Sequence, residues 1–255
     1  MRLDLFLVQN NYFNSRAKAQ EAIKNGNVYC DGVVIKKCSY IVNTDNITIK
    51  NTLKYVSRGG LKLEKALNYF NISLNNKVMC DIGSSTGGFS DCALQNGVKK
   101  IYAIDVGTNQ FDVSLRNNPK IVLMENTDFR NVVPEILNDI NIITIDVSFI
   151  SVTKLVSYIE KYKSVSEIVC LIKPQFECGK EIADKYKGII LSKNVHSDVI
   201  NSVISSFNSI GFYESDLTYS PIKGGSGNIE YLLYLTKEKR KVNIADVVNA
   251  AFKNR

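Results

Sequence analysis

The stretch Cys80-Asp81-Ile82-Gly83-Ser84-Ser85-Thr86-Gly87-Gly88-Phe89-Ser90 decides how this chain of 255 residues reads. An apolar strand pattern, 78–82, runs into it, and a helical pattern over 89–96 leaves it. A strand that turns through glycines into a helix is where α/β sheets bind ligands. Glycine lets a ligand approach the backbone, and small side chains keep the turn open. A dinucleotide site would show G-x-G-x-x-G around a pyrophosphate. The spacing here is G-x-x-x-G-G, which suits an adenosyl ligand without one. A tight turn that binds nothing has the same pattern, so the loop counts only together with residues elsewhere.

Outward from the loop, strand patterns at 100–105, 121–125, 142–146 and 168–172 alternate with helical ones at 61–70, 109–117, 131–138, 152–163 and 194–210. This alternation predicts an α/β domain, a doubly wound and mostly parallel sheet with helices on both faces. Segments 216–222 and 230–235 read as an antiparallel pair, and 243–253 as a last helix. Ahead of the domain, 3–13 and 15–25 have helical periodicity. Ser15 caps the second of these, Lys18 and Gln20 lie on its solvent side, and Gly26 stops it. Short strands at 27–30, 33–35 and 47–49 follow, with Asp31-Gly32 as a tight turn. The expected organisation is a small α+β domain over 1–50, a linker over 51–58 and the larger domain over 59–255.

Four places in the larger domain carry chemistry. Asp105 falls 22 residues after Gly83, at the end of the second strand, where a carboxylate can accept hydrogen bonds from both hydroxyls of a ribose. A helix cap is the plainer reading. Asp128, after the third strand, faces an adenine or caps a helix. Asp146 and Lys173 end the fourth and fifth strands, whose carboxyl ends open into one crevice. A lysine closing an apolar strand is costly unless paired, and one beside a carboxylate can position or deprotonate a hydroxyl. Snorkelling to solvent is the alternative. The single histidine, His196, opens a predicted helix and reads as a surface or cap residue, which argues against Ser-His-Asp catalysis.

Composition narrows the function classes. Residues 1–58 hold nine Lys+Arg against four Asp+Glu, so five of the seven net positive charges sit there. Such a surplus suits a polyphosphate partner, although a generally basic chain would show one too. No apolar run reaches roughly 18 residues, and the opening residues lack a signal core, so a cytoplasmic protein is expected. The six cysteines form no C-x-x-C pair and read as reduced thiols, and no metal site is expected.

The chain resembles the TlyA family of ribosomal RNA ribose 2′-O-methyltransferases, historically labelled haemolysins. RLDLFLVQ, SRAKAQEAIKNGNVYCDG and Lys36-Lys37 are similar to an S4-like RNA-binding domain. YVSRGGLKL, GSSTGGFSD, AIDVGTNQ, TIDVSFIS, LIKPQFE and GNIEYLLYL follow in the family's order. The later motifs are also similar to FtsJ-type methyltransferases. The resemblance implies a Rossmann-like class I methyltransferase fold using S-adenosylmethionine. Its Lys-Asp-Lys-Glu tetrad falls on Lys62, Asp146, Lys173 and Glu230. The implied cofactor residues are Asp81, Gly83, Ser84, Ser85, Thr86, Gly87, Gly88, Phe89, Asp105, Val106, Asp128 and Asp146. Ser84 stands where the family often has alanine. The implied RNA contacts are Arg2, Arg16, Lys18, Lys24, Lys36, Lys37 and Arg58. The implied partner is ribosomal RNA or an assembled subunit, met by a monomer and modified at cytidine. A C-terminal helix marks the family's longer forms, so 243–253 points to 16S as well as 23S rRNA. The rival readings are a membrane-lytic protein, a non-catalytic RNA-binding or assembly factor, and an NAD-dependent enzyme. The first lacks an apolar span, the second leaves the tetrad without a purpose, and the third has the wrong loop.

Overall fold

A computed structural model describes residues 1–13, 15–50, 54–137 and 139–254. They form two compact units, Met1–Lys54 and Tyr55–Arg255.

In the first unit, α1 (Leu3–Gln9) and α2 (Arg16–Lys24) pack on a small sheet of β1 (Val28–Cys30), β2 (Val33–Val34) and β3 (Ile47–Ile49), in the order β2-β1-β3. Ser15 accepts from the Lys18 N–H and so starts α2 as expected. Asp31 and Gly32 both have positive φ, 51° and 79°, the two-residue turn whose twist matches antiparallel strands. α1 is shorter than the 3–13 pattern because Asn11, at φ 58°, leaves helical space. Leu3, Leu7, Ala19, Ile23, Val28 and Ile47 make the core. Asp4 is fully buried among them, and Arg2 Nε (3.0 Å), Arg16 Nε (2.9 Å) and Gln20 Nε2 (2.7 Å) all bond its carboxylate. Gln20, read as solvent-facing, therefore turns inward: a buried carboxylate needs every donor within reach.

The second unit holds α3 (Gly59–Tyr69), β4 (Val78–Ile82), α4 (Gly88–Gln95), β5 (Lys100–Ile104), α5 (Val113–Arg116), β6 (Ile121–Met124), β7 (Ile142–Ile145), α6 (Thr153–Ile159), β8 (Glu167–Ile172), α7 (Pro174–Glu177), α8 (Lys180–Lys185), α9 (Lys193–Asn208), β9 (Tyr213–Tyr219), β10 (Tyr231–Thr236) and α10 (Ile244–Lys253). Its seven-stranded sheet runs β6-β5-β4-β7-β8-β10-β9, with β10 antiparallel to both neighbours. The order reverses between β4 and β7, which opens a crevice at the carboxyl ends of those strands. One face packs on α3 and α4, the other on α6, α9 and α10. No helix among the described residues is long and apolar enough to cross a membrane.

The differences from expectation are local. The helix expected at 109–117 shrinks to α5 because Asn109 has φ 58° and Asp112 caps a later start. That expected at 131–138 becomes two 3-10 turns, Phe129–Asn131 and Pro134–Leu137, since Pro134 cannot donate into a helix. α7 and α8 were not foreseen. Of the linker read at 51–58, residues 51–53 lie outside the described residues. Tyr55 is buried in the core beneath α3, against Gly60, where a Cβ would strike its ring. Residues 55–58 thus belong structurally to the second unit.

Bonds from Arg2, and then from Gln20 and Arg16, hold the Asp4 carboxyl well below the usual carboxylate range, against the opposing cost of burial. A carboxyl depressed in the fold contributes stability above its unfolded pKa of about 3.9 and loses it as pH falls through the lower folded value. Asp4→Ala should destabilise the first unit by about 1–3 kcal/mol at neutral pH. The gap should begin to narrow as pH falls below about 3.9 and keep narrowing toward the lower folded value. Urea titrations of the full chain, followed through α1 and α2 amide signals, check this. Equal midpoints at pH 7 would remove Asp4 as an anchor.

Candidate active site

Strand alternation places the charged residues. Along β7, Ile143 and Ile145 face the α6/α9 cluster and Ile142 faces the α3/α4 cluster. β8 divides the same way, Ile168, Cys170 and Ile172 against Val169 and Leu171. In β10 Tyr231 and Leu233 oppose Leu232. Side chains alternate with period two. Asp146 just after β7, Lys173 just after β8 and Glu230 just before β10 therefore fall on the α3 side. Register sets Glu230 level with Lys173, since Ile172 pairs with Tyr231, and Asp146 two residues short of Lys173, since Ile145 pairs with Cys170. α3 brings Lys62 to the same place. Lys62 Nζ lies 2.7 Å from Glu230 Oε2 and 3.7 Å from Asp146 Oδ2. Lys173 Nζ lies 2.5 Å from Asp146 Oδ1 and donates to Ser148 Oγ at 2.8 Å. Lys62, Lys173 and Glu230 are 8%, 7% and 2% exposed. Two ammoniums and two carboxylates sum to zero, which makes four charges tolerable at this burial, and losing any one strands its partner.

Two cavities meet at this cluster. The larger, of about 510 Å3, runs along the ends of β4, β5 and β7 and is lined by Gly83, Ser85, Asp105, Val106, Asp128 and Asp146, with Phe129, Val147 and Leu155 as apolar wall. The smaller, of about 220 Å3, is lined by Lys62, Lys173, Asp146, Ser84, Thr86 and Gly88. Gly83, Ser85, Asp146 and Ser148 line both. Gly83, at φ 83°, has its Cβ position 2.6 Å from the Asp146 carbonyl oxygen, so no other residue fits there. Gly87 at φ 89° turns the chain into α4. The Asp105 carboxylate accepts from the N–H groups of Ser85 (2.8 Å) and Gly107 (2.6 Å), which ties the glycine loop to the end of β5.

The expected residues divide. Those of the tetrad converge, and Asp105 and Val106 face the larger cavity. Asp128 lines that cavity and also caps the turn at Phe129–Asn131, clamped by Arg130 Nη2 at 2.6 Å. Asp81 does not face either cavity. It is fully buried beneath the loop, where Ser90 Oγ (2.7 Å) and Thr144 Oγ1 (2.9 Å) bond its two oxygens. Burial pushes its pKa up to about 6, against the pull of those two hydroxyls. It supports the loop from below, because alternation in β4 sends position 81 into the core. Phe89 points the same way and packs in the α3/α4 core while touching the smaller cavity.

His196 needs the plainest correction. It is a core residue, with Nδ1 2.7 Å from Tyr231 Oη and Nε2 3.1 Å from the Ile190 carbonyl. The carbonyl can only accept, so Nε2 carries the proton and Nδ1 accepts from the tyrosine. Helical periodicity put it one turn into α9, on the buried side. In the first unit, Lys24, Lys36 and Lys37 are exposed and Lys18 is half-buried, while Arg2 and Arg16 are shared with Asp4. Arg58 is exposed in the second unit, just before α3. Ser148 went unforeseen, since a lone serine after a strand carries no pattern of its own.

Known proteins resemble the chain along most of its length. The S4 domain family profile matches residues 1–47 and the FtsJ-like methyltransferase profile residues 55–237. A Brachyspira hyodysenteriae protein named Hemolysin A is 46% identical over 92% of this chain and 99% of its own length. The Campylobacter jejuni 23S rRNA (cytidine-2′-O)-methyltransferase TlyA is 38% identical over 93% of this chain and all of its own. A solved chain described as a hemolysin from Streptococcus thermophilus superposes with a TM-score of 0.78 at 38% identity, over 99% of this chain and 96% of that one. With an S4 domain ahead of a methyltransferase domain and relatives matched nearly end to end, the chain belongs to the FtsJ-like methyltransferase family and, within it, to the TlyA proteins.

Proposed function

We propose that this protein transfers a methyl group from S-adenosylmethionine to the ribose 2′-hydroxyl of a cytidine in ribosomal RNA. The observation that carries the reading is the Lys62–Glu230, Asp146–Lys173 cluster at the junction of two cavities. The activity named for the Campylobacter relative supports it.

The larger cavity fits an adenosyl group. Apolar side chains wall it, Asp105 offers a carboxylate for ribose hydroxyls, and the bare Gly83 backbone allows close approach. Ser84, Ser85, Thr86, Gly87 and Gly88 would hold the amino-acid end near the start of α4, whose first N–H groups favour a carboxylate. Asp128 would face the adenine. When bound, the group supplies a methyl carbon made electrophilic by the adjacent sulfonium. The protein's own part is alignment and proton removal, and alignment supplies most of the rate in such displacements. Lys173 Nζ, fixed by Asp146 and Ser148, meets the 2′-hydroxyl and, as the neutral amine, would accept the proton that leaves the oxygen as that oxygen takes the methyl group. Asp146 orients Lys173 and presents negative charge at the junction. Lys62 and Glu230 lock each other and complete the wall against which the nucleotide rests. The first unit recruits RNA through Lys24, Lys36 and Lys37, aided by Lys18, Arg2 and Arg16, and Arg58 adds a charge at the entrance of the second. The protein works as a cytoplasmic monomer on ribosomal RNA or an assembled subunit, without a metal.

Lys173→Ala should lower methyl transfer from labelled cofactor to ribosomal subunits by ~10²–10⁴ while cofactor affinity stays at the wild-type value. Near wild-type incorporation would sink the assignment. Asp105→Ala should weaken S-adenosylmethionine binding by about 1–3 kcal/mol in calorimetry. An unchanged dissociation constant would remove Asp105 from the cofactor site. RNA affinity of the full chain should fall linearly in log–log against salt, and Lys36→Gln with Lys37→Gln should reduce the slope by about two. A slope unmoved by the pair would mean those lysines only face solvent.

A further inference from the structure

Behind Glu230 lies a groove that the reaction above leaves unused. It has a volume of about 360 Å3 and is lined by Lys65 of α3, Tyr219 and Ser220 at the end of β9, Lys223, Glu230 and Asn254 beyond α10. α3 and α10 cover opposite faces of the sheet, so the groove wraps around the end of the β9–β10 hairpin. One ion pair separates it from the catalytic cavity: Lys62 lines the cavity, Glu230 lines the groove, and they are 2.7 Å apart. Lys65 is three residues beyond Lys62, on the same side of the helix and about 4.5 Å further along its axis.

The groove is built and cationic. Lys65 Nζ lies 3.9 Å from the centre of the Tyr219 ring, and Asn254 Nδ2 donates to Tyr219 Oη at 3.1 Å, so the tyrosine is held at both ends. Gly224, next to Lys223, has no room for a Cβ because Glu230 Oε1 occupies that space, which fixes the loop carrying Lys223. The lining charges are Lys65, Lys223 and Glu230. Glu230 is neutralised by Lys62, so two ammoniums remain. Among the described residues no carboxylate lies within ion-pair distance of Lys65. Burial holds the Lys65 ammonium below the usual lysine range. A cation partly withdrawn from water gains by having an anion placed against it.

Resting on the reading of the protein as an RNA ribose methyltransferase, we propose that this groove holds the phosphodiester flanking the target nucleotide, with Lys65 and Lys223 on its oxygens. The geometry of RNA favours this occupant. The ribose carbon bearing the 2′-hydroxyl is bonded to the one bearing the next phosphate, so a 2′-oxygen seated at Lys173 brings a phosphate to the neighbouring surface. Such a contact positions the strand without reading its sequence.

The test uses the full chain, wild type and Lys65→Gln, with Lys223→Gln as a second variant. Both variants should keep the wild-type thermal midpoint and S-adenosylmethionine affinity. Each should raise KM for ribosomal RNA about tenfold with kcat little changed, the worth of one charged hydrogen bond. Each should also reduce the log–log salt slope of RNA binding by about one, and Lys65→Arg should restore it. KM and slopes equal to wild type in both folded variants would overturn the proposal. Binding slopes can be measured without turnover. A wild type that binds RNA yet transfers no methyl group would defeat the functional reading alone, whereas unchanged slopes in an active enzyme would defeat the groove alone.

Discussion

Four charges with zero sum, Lys62, Lys173 and Glu230 buried and Asp146 half-buried, organise the catalytic unit. Lys62 comes from α3, Asp146 and Lys173 from just after β7 and β8, and Glu230 from just before β10, and none could be sheltered alone from water. Their mutual neutralisation ties the middle of the sheet to its antiparallel edge and to the helix that precedes it. The cluster is in this sense a structural joint. The joint sits at the carboxyl ends of the parallel strands, where the reversal of strand order already leaves a crevice.

Around the joint, glycines mark where the backbone must come close to something else. Gly83 abuts the Asp146 carbonyl, Gly60 abuts Tyr55 and Gly224 abuts Glu230. Each contact removes the space a side chain would need, and each connects one site element to another. The outcome is two adjoining cavities that share Gly83, Ser85, Asp146 and Ser148. Asp81 is the hidden support, bonded from Ser90 and Thr144 beneath the loop.

The small first unit solves the same problem with less. Its core is a handful of aliphatic residues, and one buried carboxylate, Asp4, accepts from the side chains of Arg2 before α1 and of Arg16 and Gln20 in α2. Two of those donors are arginines of the basic surplus. The charges that would attract RNA thus double as braces, while Lys24, Lys36 and Lys37 face solvent.

The sequence by itself determined the strand order's class, the glycine loop and the identity of the charged residues at the strand ends, because these follow from period-two and period-3.6 patterns and from the backbone demands of glycine. Asp105, Asp146 and Lys173 were legible because each closes an apolar run. Lys62 and Glu230 were legible only through family resemblance, since neither stands at the end of a parallel strand. Tertiary structure alone decided the rest. It turned Gln20 inward, buried His196 against Tyr231 and Ile190, withdrew Asp81 from the cavities and gave Lys173 its second partner, Ser148. Each of those outcomes depends on which donor or acceptor lies across a packed interface. A buried polar group bonds to whatever partner the fold brings within about 3 Å, and no spacing along the chain encodes that distance.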